Sequence, residues 1–215
     1  MEDARILSEA LGLAKKSVET ACRLIENLLG EPFKVARGML ADPIYAFQWR
    51  NRIRIVDRAR QIMDKDGIAA RLLPAGFLLP LLEAAGDVED PVLSELWSRL
   101  LASGVADNKH RRPVFVDVLK RMDHDDAIGF QTIVSDIAAA APRGLVLRTN
   151  VRDVGRLVAL QLLTASIDSQ PVEIDGAANV GMSEVRITSF GVQFAEAVGI
   201  ARDDTGAGAS DATLS

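Results

Sequence analysis

The chain has 215 residues, enough to bury a substantial core as one domain or as two unequal ones. Apolar residues make up 48% of it and aromatics only 5%, the make-up of a helical globular protein. A net charge of −5 and an isoelectric point near 5.1 argue against a general nucleic-acid binder, which would be basic overall.

The N-terminus, MEDARILSEA, is acidic and lacks the pattern of a signal peptide. From Ala4 to Leu29, the residues Ala4, Leu7, Leu11, Ala14, Val18, Ala21, Ile25 and Leu28 recur at spacings of three and four, an a/d register. This predicts a helix that either packs within the chain, the preferred reading, or pairs with a second copy as a homodimer through residues 4–29. Cys22 is the single cysteine, so an intrachain disulfide is excluded and a reducing compartment is expected. No apolar run approaches the ~20 residues that span a bilayer, and a cytoplasmic protein is expected. Gly30-Glu31-Pro32 ends the helix, and a short amphipathic segment, Phe33 to Leu40, follows.

Pro43 to Met63 reads as the next helix, with Asp42 as N-cap and Pro43 at the first helical position. Tyr45, Trp49, Ile53, Val56 and Met63 fall on one side and predict a core-facing stripe. Arg50, Arg54 and Arg58 line another side at i, i+4, i+8. Arg52 and Arg60 point nearer the apolar side and need carboxylates or a route to water. Five arginines against one acid, Asp57, make this the most positive stretch of an acidic chain. Either it is an anion-binding face for nucleic acid, nucleotide or an acidic partner, or it docks through ion pairs on the acidic segment Glu83–Glu95. The second is the commoner fate of a charge run.

Lys65-Asp66-Gly67 closes that helix. Pro74-Ala75-Gly76 introduces a short, very apolar helix, FLLPLLEAAG, with Pro80 near its first turn. Asp87 to Pro91 is a polar break suited to capping the next helix, in which Leu93, Leu96, Trp97, Leu100 and Leu101 take core positions. Gly104 to Arg112 is a polar loop. Pro113–Met122 and His124–Ala139 are two further helices, with Asp123 capping the second. Ala140 to Gly144, rich in Ala, Pro and Gly, marks a subdomain boundary.

Beyond it, Asn150 suits the cap of a helix, Val151 to Thr164, with Val154, Leu157, Val158 and Leu162 on one side. Arg148, Arg152 and Arg156 form a modest basic stripe. In the segment 183–199, Val185 and Ile187 alternate as in a strand. Thr188 or Ser189 then caps a helix carrying Phe190, Phe194 and Val198. Helix, hairpin-like loop, strand and closing helix predict a winged-helix-like unit. The expected fold is mainly α: a helical bundle over residues 1–141, a small winged-helix-like α+β unit over 142–200, and a disordered tail, 201–215.

Chemistry-bearing clusters are sparse. His110 and His124 sit in polar surroundings without metal-site spacing. Asp123, Asp125 and Asp126 beside His124 are the one acidic group that a metal-dependent hydrolase would use, although adjacent acids at a helix start usually act as caps and dipole partners. No phosphate loop and no nucleophile–histidine arrangement is recognisable. No catalytic residue, metal or cofactor is therefore expected.

Four segments taken together resemble the abortive-infection alpha family: GMLADPIYAFQWRNRIRIVDRARQIM (38–63), LLPAGFLLPLLEAAGDVEDPVLSELWSRLLASG (72–104), FVDVLKRMDHDDAIGF (115–130) and VRITSFGVQF (185–194). The ELWSRLLAS segment and the pair Arg50-Asn51 are the most specific. AAGDVEDP stands where the family pattern would have a more acidic run. The resemblance implies a bacterial helical protein of phage defence, acting in the arrest or death of infected cells, and implies no catalytic mechanism. The function expected is that of a non-enzymatic defence protein binding a protein partner or phage component. Its candidate contacts are Arg50, Asn51, Arg54, Arg58, Arg148, Arg152 and Arg156. The alternative is a DNA-binding regulator using the C-terminal unit; nucleic acid is the less favoured partner.

Overall fold

A computed structural model describes residues 23–28, 43–140, 147–167 and 182–200, which are mainly helical with one small antiparallel sheet. Most of the expected Ala4–Leu29 helix, the Gly30–Leu40 segment, Asp42 and the 201–215 tail lie outside them. The chain divides into two compact units, Met1–His124 and Asp125–Ser215. This division falls ahead of the boundary expected at Ala140–Gly144.

In the first unit a helical segment, residues 23–28 (α1), buries Leu24, Ile25 and Leu28. The Leu28 carbonyl accepts a hydrogen bond from the Leu73 amide, 2.8 Å. Helix α2 (Pro43–Lys65) buries Trp49, Ile53, Val56 and Met63, four of the five residues of the stripe that its periodicity predicts; the side chain of the fifth, Tyr45, lies outside the described ones. Ile55 and Ala59 are also fully buried, so the apolar arc is wider than that stripe; both α3 (Ala75–Ala85) and α4 (Pro91–Ala106) pack against α2. Gly67, at φ +66°, lets the chain reverse after α2, and the Ile68 amide reaches back to the Met63 carbonyl at 2.8 Å.

Helix α3 starts earlier than its sequence suggests, with Pro74 in the cap position, so Pro80 falls mid-helix instead of in the first turn. It is tolerated on the exposed side, where its missing amide would have bonded the exposed Gly76. Helix α4 has Asp90 as N-cap, its carboxylate accepting from the Leu93 amide at 2.9 Å, and Pro91 at the start. Leu96, Trp97, Leu100 and Leu101 are buried, as their spacing predicts, while Leu93 is half-buried. Helices α3 and α4 come close where Phe77 lies over Gly104, and an added Cβ there would come within 2.7 Å of the ring. Only glycine admits that contact.

After α4, His110 ends a single 3-10 turn, Asn108–His110, and is buried, its Nδ1 3.4 Å from the Ser103 carbonyl. The polar loop expected here therefore folds its histidine inward, because the Asp107 side chain caps the turn through the Lys109 amide at 3.0 Å. Helix α5 (Pro113–Arg121) adds Phe115, Val116, Val118 and Leu119 to the core.

The second unit contains nearly all of α6 (His124–Ala140), then β1 (Leu147–Asn150), α7 (Val151–Ala159), β2 (Leu163–Ile167), β3 (Met182–Ile187) and α8 (Ser189–Ala197). The apolar side of α6 explains its membership: the Phe130 ring tilts against Phe194 of α8, centroids 5.6 Å apart. The helix expected from Val151 to Thr164 stops at Ala159. Gln161 takes φ 60°, and Leu163–Ile167 becomes a strand because β3 offers an antiparallel partner, Leu163 opposite Ile187 through Ile167 opposite Ser183. β1 pairs with the other edge of β3, giving the order β1-β3-β2. Val185, Phe194 and Val198 are buried, and Thr188 caps α8 by accepting from the Gly191 amide at 2.8 Å.

Candidate functional site: the polar side of α2

A helix ends with carbonyls that have no partner within it, and the C-terminal end of its dipole favours positive charge. The end of α3 and its connection to α4 meet both needs with side chains from α2. Arg52 Nε donates to the Leu82 carbonyl at 2.8 Å, and Asn51 Nδ2 donates to the Gly86 carbonyl at 2.9 Å. Gln48 Nε2 donates to Asp87 Oδ1 at 2.9 Å, and Arg54 Nη2 donates to the Val88 carbonyl at 2.6 Å and to Ser94 Oγ at 3.1 Å. Gly86 permits this docking: a Cβ there would lie 3.0 Å from the Arg52 guanidinium.

The ladder ends in a two-pronged ion pair. Arg58 Nε and Nη2 contact Glu95 Oε2 and Oε1 at 2.7 and 3.1 Å, and Arg99 reaches the same carboxylate at 2.9 Å. Burial alone would raise the Glu95 carboxyl. The bonds from Arg58 and Arg99 outweigh it and hold the group below the usual carboxylate range. The same hydrogen bond with Glu95 raises Arg58 above its ordinary value.

These contacts decide what the expected site residues do. Asn51 is 6% exposed and is a buried structural donor, not an available contact. Arg54 and Arg58 are exposed at their edges but committed to the α3–α4 connection and to α4. Arg50 is different: it is exposed and makes no hydrogen bond or ion pair among the described residues. Beside Arg54 and Arg58 runs an open groove of about 390 Å³, completed by Asp57 and Gln61 of α2 and by Pro91, Ser94, Glu95 and Ser98 of α4. Its lining carries both signs of charge. Gln48, Arg52 and Glu95 belong to this assembly although none of them is among the candidate contacts; Arg52, expected to need a carboxylate or water, finds the Leu82 carbonyl instead. The signal for them was the unbroken polar series Gln48, Asn51, Arg52, Arg54, Arg58 facing a nearby acidic segment.

The second basic stripe is not one surface of one helix. Arg148 stands in β1, Arg152 lies in the first turn of α7, and Arg156 is in α7 with Nε 2.9 Å from Asp126 Oδ2. The expectation of a single i, i+4, i+8 face fails because the helix begins only at Val151. Asp126 is 6% exposed and is held by this ion pair, whereas Asp123 and Asp125 are exposed. Among the described residues no three His, Cys, Asp or Glu side chains converge to hold a metal ion. In the first unit, His124 Nδ1 lies 2.8 Å from Asp90 Oδ2, so the histidine braces the cap of α4. Although burial opposes it, the Leu93 amide and His124 together draw the Asp90 carboxyl below its ordinary value.

Among the described residues no helix is long and apolar enough to cross a membrane. No curated protein and no solved structure matches the chain. A model of the family described as abortive infection alpha matches residues 50–173. That span begins at Arg50-Asn51, takes in the α2 ladder from Asn51 onward and the whole of α3 and α4, and covers more than half of the sequence. The chain therefore belongs to the abortive infection alpha family.

Proposed function

We propose that this protein serves abortive infection without catalysing a reaction, by binding a partner protein or phage component along the outer side of α2. The observation that carries this reading is Arg50, the exposed arginine of that helix with no bond among the described residues. One and two turns further on, Arg54 and Arg58 are already fixed by the α3–α4 connection and by Glu95. An acidic partner would meet one adaptable guanidinium beside two pre-ordered ones, so little side-chain freedom is lost on binding.

The test is phage plating efficiency on cells producing the wild type, Arg50→Glu or Arg54→Gln. Arg50→Glu should abolish protection at an unchanged melting temperature. Full protection by a stably folded Arg50→Glu protein would remove this surface from the account. Pull-down from infected cells with and without nuclease identifies the chemistry of the partner: a protein stays bound after nuclease treatment.

We further read the Asp125–Ser215 unit as winged-helix-like. The strand order β1-β3-β2, with α7 between the first two strands, supports that reading. A DNA-binding role for it would appear in the same experiment as capture lost to nuclease, with an affinity falling steeply as salt rises.

A further inference from the structure

The outer face of α3 is apolar where a solvent-facing helix would be polar. Ala75, Gly76, Leu79 and Pro80 are exposed, Leu79 by 49%, and Leu72, just ahead of the helix, is 63% exposed. Charge appears only at the two ends, as Arg71 before the helix and Glu83 in its last turn. Both are exposed, and their side chains have no hydrogen bond or ion pair among the described residues. Glu83 is also misplaced for its own helix, since an anion near a C-terminus opposes the dipole. The N-terminal end of α3 has the opposite deficiency: no side-chain cap at Pro74 and no acid in the first turn.

We propose that this face is a two-fold docking surface for a second copy of the chain, with the two α3 helices antiparallel. The face is complementary to itself in that arrangement, as an isologous contact requires. With the axis passing between Phe77 and Leu78, Gly76 meets Leu79 of the second copy and Ala75 meets its Pro80, small residues against large ones. A Cβ at Gly76 would touch nothing within 4 Å in the single chain, so there is open space to receive that leucine. The same register brings Glu83 to the second copy's Arg71 and to the uncapped start of its α3, twice by symmetry. Each copy thus supplies the anion that the other's helix end lacks. One face of a three-turn helix is smaller than the ~800 Å² per partner of a standard interface, so a micromolar dimer is expected. This surface is distinct from the a/d seam of residues 4–29, whose last members, Ile25 and Leu28, are buried in the first unit.

Sedimentation of the full chain under reducing conditions, from about 1 to 300 µM, reads the association directly. The wild type should pass from monomer to dimer over that range. Leu79→Glu should remain monomeric throughout with an unchanged melting curve, because Leu79 is exposed in the single chain. Glu83→Arg should weaken the dimer about tenfold, and adding Arg71→Glu should restore it to within about threefold, as expected for a symmetric pair of rim ion pairs. A wild type that stays monomeric at every concentration overturns the proposal. So does a dimer indifferent to Leu79→Glu but lost in Leu11→Glu/Val18→Glu, which would place self-association on the first helix.

Discussion

The role assigned to Asn51 is the sharpest test of the α2 ladder, because its neighbour Arg50 provides an internal control. Asn51→Ala removes the Nδ2 donor 2.9 Å from the Gly86 carbonyl, at a position where both residues are buried. A buried acceptor left without its donor costs about 1–3 kcal/mol. Arg50→Ala removes a solvated side chain with no bond among the described residues and should change stability by less than about 0.5 kcal/mol. Both tryptophans, Trp49 and Trp97, are buried in the Met1–His124 unit, so fluorescence during urea unfolding reports on that unit. With a slope of about 2 kcal/mol/M, a 2 kcal/mol loss moves the midpoint by about 1 M. Asn51→Asp should be worse than Asn51→Ala, since an ionised carboxylate only accepts and would face the Gly86 carbonyl. If Asn51→Ala moves the midpoint no further than Arg50→Ala at an equal slope, the clamp on the end of α3 is not a structural element.

Two further outcomes follow from the same unit. Trp97 is 1% exposed, and Trp97→Ala should cost about 3–5 kcal/mol, measured through the remaining Trp49 signal; a loss under 1 kcal/mol would mean that the core does not rest on it. Glu95 has a carboxyl lowered in the folded state, so its stabilising effect is present above the unfolded value of about 4.3 and is lost as pH falls through the lower folded value. The stability gap between wild type and Glu95→Gln should therefore be full at pH 7 and shrink below about pH 4; a gap independent of pH would show that the ion pair with Arg58 and Arg99 contributes nothing.

Local pattern alone determined much of this protein. The period of Trp49, Ile53, Val56 and Met63 predicted which side of α2 is buried, and Leu96, Trp97, Leu100 and Leu101 did the same for α4. Capping is legible to within a few residues, within Asp87–Pro91 for α4 and at Thr188 or Ser189 for α8, because a cap bonds within its own turn; the structure selects Asp90 and Thr188. The partners of the arginines were not readable in the same way. Leu82, Gly86 and Val88 receive α2's donors through their backbone carbonyls, and a carbonyl left open at a helix end is not encoded by side-chain identity. The charge run could therefore be recognised as docked or binding, but the choice required the α3–α4 connection to be folded against it. Strand Leu163–Ile167 escapes the sequence reading, which ends the preceding helix at Thr164 and continues as loop, for a related reason: the strand exists through pairing with β3, many residues away. Tertiary structure likewise turned His110 inward and divided the basic residues Arg148 and Arg156 between a strand and an ion pair. Periodicity acts over one or two turns and survives in the sequence; a hydrogen bond between residues 30 or more apart is settled only when the chain brings its ends together.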